Sequence, residues 1–151
     1  MVYLINEKQE KKLVARQILE ALPEWFGIAE AREKYISDSE EQIFFAAKHK
    51  EKYVGFLCLN KTGKSTVELT VMGVLKEYHR QGYGKQLFEA ARGYAKELGY
   101  EFIQVKTVAM GHYDNYDKTN HFYQSVGFKE FEIIPTLWDE KNPCQIYIMA
   151  T

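Results

Sequence analysis

Two glycines separated by one residue, Gly82 and Gly84, are the clearest indication of chemistry in this sequence. They lie between an apolar, β-branched run that ends at Val74 and an amphipathic run that ends at Leu98. Glycine allows the backbone to approach a ligand closely, and a helix N-terminus offers unpaired N–H groups with a partial positive charge. The pair therefore predicts a phosphate or diphosphate site, with close packing of a helix on a strand as the alternative explanation.

A predicted strand and a predicted helix hold this turn. Residues 65–74 are mostly apolar or β-branched, and apolar residues then recur at helical spacing from Leu87 to Leu98. Gly99 is the predicted C-cap of the helix, and residues 102–109 form the next predicted strand. We therefore expect the turn to lie inside a strand–helix–strand crossover.

Hydrophobic periodicity and turn residues predict the other elements, and no repeat or linker interrupts a single domain over residues 1–151. Before the turn these are a strand at 2–5, a helix capped by Asn6 and ended by Pro23, a helix at 28–37, and hairpin strands at 43–47 and 53–59. After it they are a helix at 117–125, a strand at 128–134, a loop at 135–143 and a terminal strand at 144–149.

The composition is that of an ordinary globular domain, with 46% hydrophobic and 27% charged residues. A formal net charge of -1 gives no reason to expect nucleic acid or an anionic membrane as a partner. No apolar run approaches the roughly 20 residues that span a bilayer, and residues 1–12 lack the apolar core of a signal peptide, so we expect a cytoplasmic protein. Cys58 and Cys144 lie in apolar runs, which predicts buried free thiols rather than a disulfide.

A second phosphate motif is set aside on its context. Gly63-Lys64-Ser65 looks like the end of a P-loop, but Cys58 stands where the first glycine of that motif is required. The three residues also lead into a strand, whereas a P-loop leads into a helix. A hairpin turn is the better interpretation.

The residues around the glycine pair resemble the first signature of the GNAT family of N-acetyltransferases. That signature is a strand ending in an apolar-x-Val pair, a short link, and Arg/Gln-x-x-Gly-x-Gly/Ala at the start of a helix. Here Met72-Gly73-Val74 ends the strand, and His79-Arg80-Gln81-Gly82-Tyr83-Gly84 fills the loop. The chain departs from the pattern at His79, where Arg or Gln is usual.

A second GNAT signature, Asn-x-x-Ala-x-x-Phe-Tyr-x-x-x-Gly-Phe, follows about forty residues later. Phe122-Tyr123-Gln124-Ser125-Val126-Gly127-Phe128 matches its second part, while Tyr116 and Thr119 replace the usual Asn and Ala. Asn115 is a candidate substitute for the missing Asn. The segment 136–144 also resembles the Leu-Trp-Asp-x-x-Asn-Pro-Cys ending of a bacterial subgroup of small acetyltransferases.

The resemblance implies an α/β fold, with a central mixed antiparallel and parallel sheet flanked by about four helices. It also implies acetyl transfer from acetyl-CoA to a primary amine of a small molecule or peptide, without a metal. Main-chain amides of the loop receive the diphosphate, and a β-bulge near Met72 exposes main-chain groups to the pantetheine. The implied coenzyme-binding residues are Met72, Gly73, Val74, Arg80, Gln81, Gly82, Tyr83, Gly84, Lys85, Asn115 and Tyr123.

Glu68 and Tyr123 are the catalytic residues that the resemblance implies, as general base and general acid. Proton transfer from an alkylammonium (pKa about 10.4) to a Glu (about 4.3) is uphill by about 8 kcal/mol, which favours a water relay ending at Glu68. Transfer from a phenol to a thiolate is uphill by only about 2 kcal/mol. A solvent-facing Glu and a core Tyr remain the structural alternatives, and His112 and Asp114 are secondary candidates for the base.

Trp25, Phe26 and Tyr113 are the predicted substrate-binding residues. In the resembled family the connection between the first two helices, where Trp25 and Phe26 lie, borders the acceptor site. Tyr113 would join them in an aromatic acceptor pocket if its loop converges on theirs. A hydrophobic plug is the alternative for Trp25 and Phe26. The family also suggests a homodimer. Two other functions stay open: a catalytically inactive acyl-CoA sensor, motivated by His79 and Tyr116, and an interaction domain with exposed aromatic residues.

Overall fold

The computed structural model describes all 151 residues, Met1–Thr151. It contains seven strands, five α-helices and a 3₁₀ turn at Lys76–Tyr78. In chain order the elements are β1 (Val2–Ile5), α1 (Lys8–Glu20), α2 (Pro23–Phe26), α3 (Ala29–Ser39), β2 (Ile43–His49), β3 (Lys52–Lys61), β4 (Thr66–Val74), α4 (Tyr83–Glu97), β5 (Phe102–Val108), α5 (Asp114–Ser125), β6 (Lys129–Asp139) and β7 (Asn142–Ala150).

The strands form one mixed sheet in the order β1-β2-β3-β4-β5-β7-β6. β4 and β5 are parallel, with the register Thr66↔Phe102 to Leu69↔Val105, whereas β5 and β7 are antiparallel. α4 supplies the crossover that a parallel pair requires. The predicted mixed α/β fold is confirmed, with five helices where about four were predicted.

The chain divides into two compact units. The first comprises Met1–Asn60 and Thr70–Tyr94, and the second comprises Lys61–Leu69 and Ala95–Thr151. β4 therefore contributes its first four residues to the second unit and its last five to the first. The single domain over residues 1–151 stays a prediction.

The first unit has an apolar core between α1 and the strands. Apolar residues of α1 recur at helical spacing, and Val14, Ile18 and Leu19 are fully buried. The rings of Phe44 in β2 and Phe56 in β3 stack at a centroid distance of 5.2 Å. This packing fixes the strands from which the glycine turn departs.

The second unit has an aromatic core. The Tyr123 ring lies 5.6 Å from Phe128 and 6.1 Å from Tyr147, and all three residues are buried. Val67 and Leu69 in β4 and Ile103 and Val105 in β5 are also buried, as alternation along half-covered strands requires.

Three local predictions are corrected. Glu7, not Asn6, caps α1, because its carboxylate accepts hydrogen bonds from the Gln9 and Glu10 amides. α2 is a short helix that starts at Pro23, the residue predicted to end the first helix, and Pro at the first position suits a helix start. α5 begins at Asp114, three residues before the predicted start.

The loop predicted at residues 135–143 is instead mostly strand. β6 extends to Asp139 and β7 begins at Asn142, so the two form a long hairpin. The Asp139 carboxylate accepts hydrogen bonds from the Lys141 amide (2.9 Å) and the Asn142 side chain (2.8 Å), which stabilises the turn. Pro135 is tolerated because β6 lies at the edge of the sheet, where a strand has free N–H positions.

Two further expectations are resolved. Cys58 and Cys144 are buried free cysteines, which confirms the prediction. No helix of the structure is both long enough and apolar enough to cross a membrane.

Candidate active site

The turn between β4 and α4 has an unusual backbone. Arg80 has φ +61° and Gly82 has φ +87°, both in the left-handed region. A Cβ atom on Gly82 would meet only the Gln86 side chain, at 3.8 Å. Glycine is therefore required at this position by the backbone conformation and not by lack of space.

The N–H groups of this turn are arranged to donate hydrogen bonds to an anion. The first hydrogen bond of α4 runs from the Gln86 amide to the Gly82 carbonyl at 3.0 Å. The amides of Tyr83, Gly84 and Lys85 precede it and have no helical partner. Successive amides around a left-handed residue form a concave anion site, and the helix dipole adds partial positive charge. A diphosphate group fits this donor set.

The polar and charged side chains of the turn lie at its surface. Arg80, Gln81 and Lys85 are exposed. The Gln81 side chain donates a hydrogen bond to the Glu77 carbonyl at 3.0 Å, which ties the turn to the preceding 3₁₀ segment. Arg80 and Lys85 add positive charge near the amides.

His79, which departs from the family pattern, connects the turn to the end of β4. Its Nε2 donates a hydrogen bond to the Val74 carbonyl at 2.6 Å. Because a carbonyl can only accept, Nε2 carries the proton. The His79 ring also meets the Trp25 ring edge at a centroid distance of 5.9 Å. His79 thus fixes the peptide that follows Val74.

Gly73 lies where α1 packs closely on β4. A Cβ atom there would come within 3.0 Å of Leu22 and 3.1 Å of Ile18. A Cβ atom on Gly55 in β3 would come within 3.0 Å of the Gly73 carbonyl oxygen. Close packing therefore favours glycine at both positions. The β-bulge expected at Met72–Val74 stays a prediction.

Glu68 lies in the second unit and forms an ion pair. Its carboxylate is 3.3 Å from the Lys106 ammonium, with the two side chains 17% and 32% exposed. Glu68 lies on the partly buried face of β4, which alternates with the buried Val67 and Leu69, and its role as the base stays a prediction. It lies six residues before Val74 in the sequence.

Tyr123 lies in the last turn of α5 and is only 6% exposed. Beside it, the fully buried Asn120 accepts a hydrogen bond from the Tyr147 hydroxyl at 2.6 Å. The Asn120 side chain also donates to the carbonyls of Val108 (2.8 Å) and Tyr116 (2.7 Å). This amide joins β5, α5 and β7 around Tyr123, and the sequence reading missed it. The signal was a polar residue on the buried face of a predicted helix.

The predicted site residues are divided between the two units. Trp25 and Phe26 pack against the core of the first unit, which favours the plug alternative. Tyr113 is the N-cap of α5, 42% exposed, with its ring 5.9 Å from that of Tyr116. The first unit holds Met72, Gly73, Val74 and the turn from Arg80 to Lys85, and the second holds Glu68, Asn115, Tyr113 and Tyr123.

The sequence profile of the acetyltransferase (GNAT) family matches residues 9–128. The chain belongs to this family. It is therefore an acyltransferase by family, as the two signatures predicted. No group of three or more His, Cys, Asp or Glu side chains is placed to hold a metal ion.

Solved structures share the fold over the whole chain. A GNAT-family protein from Desulfovibrio desulfuricans has a TM-score of 0.85 at 16% identity, covering 99% of this chain and 98% of its own. The ribosomal-protein-S18-alanine N-acetyltransferase from Escherichia coli has a TM-score of 0.78 at 18% identity, covering 99% and 94%. An aminoglycoside 6'-N-acetyltransferase complexed with coenzyme A has a TM-score of 0.76 at 15% identity, covering 99% and 96%. No curated protein matches the sequence significantly.

Proposed function

We propose that this GNAT protein is an acetyl-CoA-dependent N-acetyltransferase acting on a primary amine of a small molecule or peptide. The observation that carries the proposal is the row of amides without helical partners at the start of α4, beside the left-handed Gly82. Acetyl-CoA supplies an activated acetyl group as a thioester. Tyr83, Gly84 and Lys85 bind its diphosphate through their N–H groups, and Arg80 and Lys85 attract its phosphates.

The end of β4 supplies the next group of contacts. Met72, Gly73 and Val74 offer main-chain groups to the pantetheine arm, and an N–H of Val74 or a neighbour stabilises negative charge on the carbonyl oxygen. His79 orients this segment through the Val74 carbonyl. Asn115 contributes a further polar contact to the arm.

Glu68 acts as the general base and Tyr123 as the general acid. Glu68 receives the amine proton through water, because direct transfer from an ordinary alkylammonium is uphill by about 8 kcal/mol. Its ion pair with Lys106 keeps the carboxylate in place. Tyr123 donates to the departing thiolate, an uphill transfer of about 2 kcal/mol. Water that reaches Glu68 from solvent completes the relay.

Thiol release tests the proposal. Protein and acetyl-CoA are mixed with a panel of amines that includes an aminoglycoside and a peptide with N-terminal alanine, the acceptors that two structural neighbours' names suggest. We expect release with at least one amine, and loss of about 100-fold or more in kcat for Glu68→Gln and Tyr123→Phe. The exposed Glu132→Gln is the matched control for Glu68→Gln. Release that both variants leave unchanged contradicts the assigned roles.

An inactive acyl-CoA sensor is the second candidate. The ion pair of Glu68 with Lys106 and the burial of Tyr123 among aromatic rings favour it, because both can be structural. Coenzyme A binding measured by calorimetry, without turnover on any amine, would support the sensor. Turnover excludes it.

A cytoplasmic location and a homodimer complete the proposal. Large apolar side chains on the edge strand β6 support the dimer, since they are about half exposed or more. They are Phe131, Ile133, Leu137 and Trp138. Light scattering in solution tests it, and a monomer at all concentrations contradicts it.

A further inference from the structure

His49, the last residue of β2, contacts the residue between the two glycines of the turn. Its Nδ1 is 2.8 Å from the hydroxyl of Tyr83, the first residue of α4. The two rings are 6.4 Å apart and nearly perpendicular. Both belong to the first unit and both are partly buried.

The same histidine also contacts the other side of the turn. The His49 ring lies 5.3 Å from that of Tyr78, which ends the 3₁₀ segment, and Tyr78 lies 5.9 Å from Tyr83. The Lys52 ammonium lies 5.7 Å above the Tyr78 ring. His49, Tyr78 and Tyr83 therefore form a closed group of three rings, which we call the ring cluster.

The ring cluster fixes both ends of the segment that leads into the anion-binding amides at the start of α4. Tyr78 precedes this segment and Tyr83 follows its left-handed residues Arg80 and Gly82. Arg80 is not a glycine, so its left-handed conformation is costly to hold unless the surroundings fix it. Binding is stronger when such a segment is already ordered before the ligand arrives, because less conformational entropy is lost.

We propose that His49 is a positioning residue that orders the diphosphate-binding turn through the Tyr83 hydroxyl. The proposal rests on the proposed function in one respect, namely that the turn binds the diphosphate of coenzyme A. His49 acts on the coenzyme only through Tyr83, so its contribution concerns the diphosphate and not the thioester. When the contact is lost, activity with a donor that carries a diphosphate should therefore fall, and activity with a donor that lacks it should not.

The test compares two acetyl donors, acetyl-CoA and S-acetylpantetheine, which carries the thioester without the diphosphate. His49→Phe keeps a ring in the cluster but removes the ring nitrogen, and Tyr83→Phe removes the hydroxyl. We expect each to reduce kcat/KM for acetyl-CoA about three- to tenfold, mainly through KM. His49→Phe should not change kcat/KM for S-acetylpantetheine.

Three further variants separate positioning from folding. His49→Asn places a side-chain amide atom near the position of the His49 Nδ1 atom. It should therefore restore most of the acetyl-CoA activity that His49→Phe loses. The double variant His49→Phe with Tyr83→Phe should be no worse than either single variant, because both remove one contact. Tyr53→Phe removes a tyrosine hydroxyl from the adjoining strand β3 and is the matched control, with no expected effect on either donor.

Each contrary result has a distinct meaning. Equal losses with both donors, or no loss with acetyl-CoA, overturn the role of His49 and leave the proposed function standing. If the wild-type protein binds coenzyme A without turnover, calorimetric Kd values for coenzyme A and pantetheine replace the kinetic constants in the same comparison. If the wild-type protein binds no coenzyme A, the proposed function fails and the role of His49 fails with it.

Discussion

Single residues in this protein take their roles from contacts that are distant in the sequence. Lys106 lies 38 positions after Glu68, yet their side chains form the ion pair that holds the candidate base. His79 turns back to Val74, and Asn120 bridges two strands. Spacing identified the reactive residue types, but these partners follow from tertiary packing and no local pattern predicts them.

Asn120 provides a stability prediction at this scale. Asn120→Ala leaves the Tyr147 hydroxyl and the Val108 carbonyl without this partner inside the second unit. We expect a loss of about 2–4 kcal/mol in the free energy of unfolding, measured by urea denaturation. Gln124→Ala, which removes an exposed donor to the same hydroxyl, should cost less than about 1 kcal/mol. Equal losses for the two variants would contradict the account of Asn120.

The two cysteines provide a pH prediction. Burial raises the pKa of the Cys58 thiol and of the Cys144 thiol above their ordinary values. The folded protein therefore holds these protons more tightly than the unfolded chain, whose thiols titrate near about 8.5. The stability they contribute is complete below that pH and is lost as the pH rises toward the folded-state pKa values.

Urea denaturation at several alkaline pH values measures this loss. The free energy of unfolding should fall above about pH 8.5 by up to about 1.4 kcal/mol per pH unit for each thiol. The double variant Cys58→Ala with Cys144→Ala should show a shallower slope. Identical slopes in the two proteins would show that the thiols are not the cause.

At the scale of elements, the strand–turn–helix from β4 to α4 and most other strands and helices were predictable, and the β6–β7 hairpin was not. β-branched residues, two glycines and a 3.6-residue period agree on one local structure. The β6–β7 hairpin was misread because Pro135 and the polar residues 139–143 are typical of loops. Pairing at the sheet edge overrides that preference.

Gly82 provides a prediction at the scale of the turn. Gly82→Ala puts a side chain on a residue with φ +87°, which costs about 1–2 kcal/mol and distorts the amides that precede Gln86. We expect weaker coenzyme A binding by calorimetry, about tenfold in Kd. Gly63→Ala is the matched control, since nothing lies within 4 Å of a Cβ atom there. Unchanged coenzyme A binding in Gly82→Ala would show that the turn does not bind the coenzyme.

For the whole molecule, the family and the fold could be predicted from the sequence because two motifs occur at the right separation. The acceptor could not, because Trp25, Phe26 and Tyr113 are bulky surface or core residues whose types do not specify a ligand. A net charge of -1 gives no preference for a charged acceptor. The division of β4 between two units was also absent from the sequence pattern, which is continuous from Ser65 to Val74.

Ligand-linked stability gives a prediction at this scale. A ligand at 100 times its Kd stabilises the native state by about 2.7 kcal/mol, which raises Tm by about 5–10 °C for a chain of this size. We expect such a rise with coenzyme A by scanning calorimetry, and a smaller one with pantetheine at the same concentration. Equal shifts for the two ligands would show that the diphosphate contributes nothing to binding.

Backbone amide chemical shifts report on whether the turn between β4 and α4 holds the diphosphate of coenzyme A. Coenzyme A is titrated into ¹⁵N-labelled protein, and the amide signals of residues 80–85 are followed beside that of Gly63 in the second unit. We expect large, saturable chemical-shift changes for the amides of Tyr83, Gly84 and Lys85 and none for that of Gly63. Saturable binding that leaves those three amides unmoved would show that the turn does not hold the diphosphate.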